Sequence, residues 1–265
     1  MVGMTVKVYK NATHHNGHAS APKLLRREKL EQRGTDTVFE NAVLRVTALG
    51  DPDAPGVFVC FTGTLLAMGG IDAEEFVGST RLPGFSALFV SDLARSWYNA
   101  FAPETFTEAI ADRIAGKRVI TLGNSMGGYG AIWASKYLPV ETVIAFAPQF
   151  SMHPEVMPGE KRWRNFRRKI GQWRHRSMED HFREDVRYYT INGDAPEDRE
   201  HWTQFPSGAN MEHLLVADTG HYPAARFKQA GILSEVIAQC TEGNSPLDVI
   251  REGGFEVSRI GDGNA

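Results

Sequence analysis

The chain has 265 residues, of which 42% are hydrophobic and 23% charged, ordinary globular proportions that exclude extended disorder for the whole. Lys and Arg number 29 against 32 Asp and Glu, a net charge of −3, so whole-molecule attraction to nucleic acid is not indicated and no such partner is expected. Two cysteines, Cys60 and Cys240, make no disulfide framework, and no His/Cys spacing reads as a metal site.

The first ten residues lack the long apolar core of a signal peptide. The uncharged run 54–71 is long enough to raise the question of a membrane, but it holds Pro55, four glycines, Thr62 and Thr64. It therefore reads as a strand and a turn rather than a span. The expectation is a soluble protein of a reducing, cytoplasmic compartment.

Residues 1–35 read as a polar tail with His14, His15 and His18, leading into a short charged helix near 22–33, with no metal expected. The remainder, 36–265, reads as a single domain in which strands and helices alternate. Strand-like segments are expected at 38–49, 57–61, 86–91, 119–122, 142–146, 188–192 and 214–217. The run Val57-Phe58-Val59-Cys60-Phe61 is continuously apolar, as a strand buried on both faces requires. Helices are expected at 104–115, where Phe106, Ala109, Ile110 and Ile114 share one face, at 127–138 and at 223–240. Interleaving of this kind predicts an α/β fold, a mostly parallel sheet with helices on both faces. Residues 152–187 break the alternation and read as an inserted lid.

The stretch Gly123-Asn124-Ser125-Met126-Gly127 follows an apolar strand and opens a helix rich in small residues. It fits G-x-S-x-G, the sharp strand-to-helix turn that holds a serine in a strained backbone above the sheet. Glycines two before and two after the serine let strand and helix pass without Cβ clashes. The hydroxyl then sits at the positive end of a helix, where developing negative charge is stabilised. With 26 glycines in the chain, the bare pattern is weak evidence, and the strand–helix context is what makes Ser125 the candidate nucleophile.

A serine hydroxyl needs a base, and the base an orienting carboxylate; in this architecture they follow in the order Ser, acid, His. Of His153, His175, His181, His201, His213 and His221, His221 fits best, because it follows the last predicted strand and precedes the terminal helix. Two acids are open. Asp194 leaves the strand at 188–192 directly and is favoured; Asp198 lies four residues on and otherwise suits a helix cap. For the oxyanion, Met126 after the nucleophile and Thr64 in the Phe61-Thr62-Gly63-Thr64 turn are the expected N–H donors, with Gly63 permitting the turn.

With these features in place, residues 38–240 resemble the α/β-hydrolase superfamily. The elbow Gly123-Asn124-Ser125-Met126-Gly127-Gly128-Tyr129-Gly130, the segment Ala147-Pro148-Gln149-Phe150-Ser151, and Ser91-Asp92 with Ser96-Trp97-Tyr98-Asn99 look like bacterial esterase-like proteins, some of them associated with surface polysaccharide. The common Gly-x-x-Asp of the superfamily would put the acid at position 196, where this chain has Pro196. The resemblance implies acyl chemistry on an ester, thioester or amide without a cofactor.

The lid carries eight Lys/Arg between Lys161 and Arg176, with Trp163 and Trp173. It reads first as a solvated amphipathic helix with Trp163, Phe166 and Ile170 inward. If it faces the cleft instead, Trp163, Arg167 and Arg168 are the candidates for contact with an anionic substrate. The expected activity is serine-dependent cleavage of an ester or thioester in a small molecule or glycan. The alternatives are acyl transfer to a sugar hydroxyl by the same residues, and a catalytically silent carbohydrate- or protein-binding module.

Overall fold

The computed structural model describes residues 34–64 and 74–261; the predicted tail as far as residue 33, with the short helix near 22–33, lies outside them. The described chain forms one nine-stranded sheet in the order β1-β2-β4-β3-β5-β6-β7-β8-β9. Six strands are mutually parallel and form its middle: β4 (Phe85–Asp92), β3 (Gly56–Phe61), β5 (Arg118–Asn124), β6 (Val140–Phe146), β7 (Arg187–Gly193) and β8 (Met211–Val216). Antiparallel strands close both sides, β1 (Asp36–Glu40) and β2 (Leu44–Leu49) at one, β9 (Val257–Arg259) at the other.

Side chains alternate across β3. Val57, Val59 and Phe61 enter one core layer, while Phe58 and Cys60 enter the other. The first layer is covered by α1 (Pro103–Ile114), through Phe106, Ile110 and Ile114, and by α2 (Met126–Ser135), through Tyr129, Ile132 and Trp133. The second is covered by α5 (Pro223–Ala230), α6 (Leu233–Thr241) and α7 (Leu247–Glu252). Between them in the chain come α3 (Arg164–Arg167) in the lid and α4 (Pro196–Trp202) after β7.

The structure adds α7 and β9 to the expected elements and departs from the sequence reading at three further places. The predicted strand 38–49 is a hairpin, because the Asn41 side chain accepts the N–H groups of Val43 and Leu44 at 2.9 and 2.8 Å and folds a turn. The predicted helix 223–240 is two helices, interrupted at Gly231, which takes φ +79°. The lid holds only the four-residue α3 and a 3₁₀ turn at Glu179–His181, not an amphipathic helix.

The crossing of β5 and α2 over β3 explains the two glycines of the elbow. A Cβ on Gly123 would lie 2.1 Å from the Gly127 carbonyl oxygen, and one on Gly127 2.1 Å from that of Phe61. Both obstacles are backbone, so neither can yield without moving an element. Gly127→Ala is therefore expected to destabilise the fold by on the order of 3 kcal/mol, read as a lowered urea midpoint with unchanged slope.

Candidate functional site

Ser125 sits between β5 and α2 with φ 57° and ψ −119°, a conformation that a non-glycine residue adopts only under constraint. Its N–H donates to the Phe146 carbonyl at 2.8 Å, which hooks the elbow to the end of β6. The Ser125 hydroxyl lies 2.9 Å from His221 Nε2, and His221 Nδ1 lies 2.6 Å from Asp198 Oδ2. A carboxylate only accepts, so the imidazole proton belongs on Nδ1 and points to Asp198. Nε2 is then the acceptor that faces the serine hydroxyl.

The carboxylate on His221 is thus that of Asp198, and the preference for Asp194 is corrected. Asp194 is committed elsewhere: its oxygens accept the N–H groups of Asp218, Thr219 and Gly220 at 2.9, 3.2 and 2.8 Å. It shapes the turn that carries His221 rather than touching the ring. Burial is the largest single influence on its carboxyl and raises the pKa, but the backbone donors together prevail and hold it below the ordinary value. Asp198 lies in the first turn of α4, after Ala195 and Pro196 at the helix start, so it is no N-cap and its side chain reaches inward.

Burial works against the Asp198 carboxylate, but the hydrogen bond and charge of His221 and the charge of Arg162 prevail and lower its pKa. Arg162 Nη1 donates to the second oxygen, Oδ1, at 2.7 Å. The same guanidinium grips Glu160 through Nη2, 2.6 Å from Oε2. Glu160 in turn accepts from His201 Nε2 at 3.0 Å, and His201 Nδ1 accepts the Phe150 N–H at 3.2 Å. Burial opposes the Glu160 charge, and its partners His201 and Arg162 more than compensate, keeping the carboxyl ionised.

This chain of contacts closes on itself. Phe150 follows Gln149, whose Nε2 donates to Ser125 Oγ at 2.9 Å and whose Oε1 accepts from Trp97 Nε1 at 3.1 Å. Gln149, Trp97, Arg162, Glu160 and His201 were not picked out as site residues from the sequence. The segments holding Gln149 and Trp97 were noticed only for their resemblance, and nothing in residue spacing signals a side chain that acts across the sheet edge.

Met126 opens α2, so its N–H is among those a helix start leaves without an intrahelical acceptor. Thr64 is buried at the end of the turn after β3, its carbonyl taken by Arg95 Nε at 3.3 Å. The Gly63 N–H donates to the Glu75 carboxylate at 3.0 Å. Burial pushes Glu75 up to about 7 against the lowering effect of that bond, so an acidic group already sits on this part of the turn.

The lid candidates are placed differently from the expectation. Arg167 is buried and spends its guanidinium on the carbonyls of Met152, Glu160 and Met157. Arg168 is exposed and bonds Asn165 Oδ1 at 2.8 Å. Trp163 is half-buried in a left-handed conformation, its ring against Phe166. None of the three has a hydrogen bond to Ser125, His221 or Asp198; unpaired carbonyls in an irregular lid draw Arg167 inward instead.

A parallel sheet with a strained serine after β5, a carboxylate after β7 and a histidine after β8 is a known architecture. The fold is that of the α/β hydrolases. The capsule O-acetyltransferase of Neisseria meningitidis serogroup A aligns with TM-score 0.55 at 13% identity, over 76% of this chain and 93% of that one. The glycosylation-associated protein complex of Streptococcus agalactiae aligns with TM-score 0.53 at 15% identity, over 79% of this chain and 45% of that one. A lidless serine hydrolase from Xanthomonas campestris aligns with TM-score 0.48 at 16% identity, over 77% and 93%. No family model and no curated protein matches the sequence. At these identities the α/β-hydrolase likeness is one of fold. No helix among the described residues is long and apolar enough to cross a membrane.

The two acids make opposite predictions. Asp198→Asn should cut kcat for an ester by about 10⁴, because an amide favours the wrong imidazole tautomer. Asp194→Asn should leave kcat within a few-fold and lower the unfolding free energy by about 1 kcal/mol through weakened backbone bonds. Steady-state kinetics and urea melts of the two variants check both.

Proposed function

We propose that the protein is a serine hydrolase of ester or thioester substrates that works through an acyl-enzyme on Ser125. One observation carries the reading: the 2.9 Å and 2.6 Å contacts that join Ser125 to His221 and His221 to Asp198. In this reading the serine oxygen forms a bond to the acyl carbon while its proton passes to His221 Nε2. Asp198 holds the ring and stabilises the imidazolium. The carbonyl electrons move to the oxygen, which is received by the N–H groups of Met126 and Thr64. His221 then delivers its proton to the departing alkoxide or thiolate, and the acyl group stays on Ser125. Water, losing a proton to His221, attacks the acyl-enzyme and releases the acid and the free serine.

Gln149 has a positioning part in this scheme. Its amide N–H donates to the serine oxygen and restrains the rotamer that offers the hydroxyl proton to Nε2. The network of Arg162, Glu160 and His201 keeps the Asp198 carboxylate ionised and oriented. The likeness to a capsule O-acetyltransferase favours a second reading, in which a sugar hydroxyl replaces water in the second half-reaction. The steps on Ser125 are the same in both.

Ser125→Ala should lower turnover of 4-nitrophenyl acetate by roughly 10³-fold or more. Alanine is no more strained than serine at this positive φ, so the thermal midpoint should stay within a degree or two. Near-wild-type turnover by the variant would remove Ser125 from the mechanism.

A further inference from the structure

A cavity of about 630 Å³ lies between the lid and the segment that follows β4. Leu93, Ala100, Phe166 and Ile170 give it apolar walls, and Lys169 and Arg174 stand at its lid side. No Asp or Glu is among its lining residues. Of the eight lid cations, Arg162 and Arg176 have carboxylate partners among the described residues. Arg174 donates instead to a neutral acceptor, the Asn99 carbonyl, at 2.9 Å, and the Lys169 ammonium lies 6.0 Å from the centre of the Phe166 ring. Both are exposed and line this cavity.

The walls are held in place. The Asn99 side-chain oxygen accepts the His175 N–H at 2.8 Å, and Tyr129, from the nucleophile-bearing helix, bonds the His175 carbonyl at 3.3 Å. Arg95, in the opposite wall, donates to the carbonyl of Thr64 and places its guanidinium 5.9 Å from the Phe166 ring centre. One wall of the cavity is therefore bonded to the turn expected to receive the oxyanion. The cavity lies beyond the carboxyl end of β4, a strand two places from β5, which leads into Ser125. With strands about 4.8 Å apart, the ends of β4 and β5 themselves lie about 10 Å from one another.

Resting on the serine-hydrolase reading, we infer that this cavity binds the remote part of the substrate and that Lys169 and Arg174 receive an anionic group on it, a carboxylate or a phosphate. The expected anionic preference is kept, but its residues move: Arg167 and Arg168 are replaced by Lys169 and Arg174. An apolar linker suits the Phe166 and Ile170 walls, and the anion suits the cationic end.

Two fluorophosphonates test this, each with a five-methylene arm from phosphorus, one ending in a carboxylate and the other in the isosteric primary amide. Both report modification of Ser125 by peptide mass mapping, so neither needs turnover. The carboxylate probe should label wild type roughly tenfold faster than the amide probe at low salt. A third probe ending in phosphate should share that advantage if charge alone is read, or exceed it if a dianion is preferred. Added salt should erase the difference, because screening acts over about 8 Å at physiological strength. In the variant Lys169→Gln, Arg174→Gln, the ratio of carboxylate-probe to amide-probe labelling should fall to about one, whatever the absolute rates. Equal rates for all probes in wild type, or an advantage that survives the double substitution, would overturn the anion site while leaving Ser125 as nucleophile. Labelling of Ser125 by none of the probes would overturn the serine reading and the inference with it.

Discussion

The carboxylate of Asp92, buried at the end of β4, collects four donors: the N–H groups of Ala94, Ser96 and Tyr98 and the Ser96 hydroxyl, at 3.1, 2.6, 3.0 and 2.8 Å. They hold a loop in which Arg95, Trp97 and Tyr98 take φ of 54°, 52° and 60°. Three left-handed non-glycine residues within four positions are costly, and only a strong local acceptor keeps such a path. Each of them then reaches a different part of the site. Trp97 holds Gln149 against Ser125, Tyr98 bonds the Thr62 carbonyl, and Arg95 bonds that of Thr64. Asn99, one residue on, ties down the lid at His175. Burial raises the Asp92 pKa against the lowering effect of its donors.

The second constraint is charge pairing under the lid. Asp198 and Glu160 are both buried, and one arginine, Arg162, bridges them. Lifting the lid away from α4 would break the Arg162–Asp198 and Glu160–His201 contacts together, so this buried pair of charge-assisted bonds pins the lid to α4 at this point. The basic stretch is consequently divided. Arg162 and Arg167 act inward as structural groups, while Lys169 and Arg174 face the cavity beside β4.

How much of this was legible in the sequence follows from what each residue answers to. The elbow was legible because its glycines answer a local clash between two segments adjacent in the chain. His221 was legible because chain order and strand edges leave few histidines at the right end of the sheet. The acid was not, since Asp194 and Asp198 leave the same edge four residues apart. What separates them is the Pro196 helix start and a guanidinium from residue 162, a partner set by tertiary packing. Gln149 reaches Ser125 from the loop after β6, Trp97 holds Gln149 from the loop after β4, and neither has a spacing rule. The lid misled because its cationic pattern suits a solvated helix, whereas the carbonyls of an irregular loop recruit Arg167 inward.

The most direct measurement is of the covalent state of Ser125 during turnover. The protein is mixed rapidly with excess 4-nitrophenyl acetate, quenched in acid within the first turnover, and its peptides are weighed. The account predicts an acetyl group on the peptide that carries Ser125, formed with a burst of nitrophenol and lost as substrate is exhausted. Steady release of nitrophenol with Ser125 unmodified throughout, or acetylation confined to another residue, would contradict it.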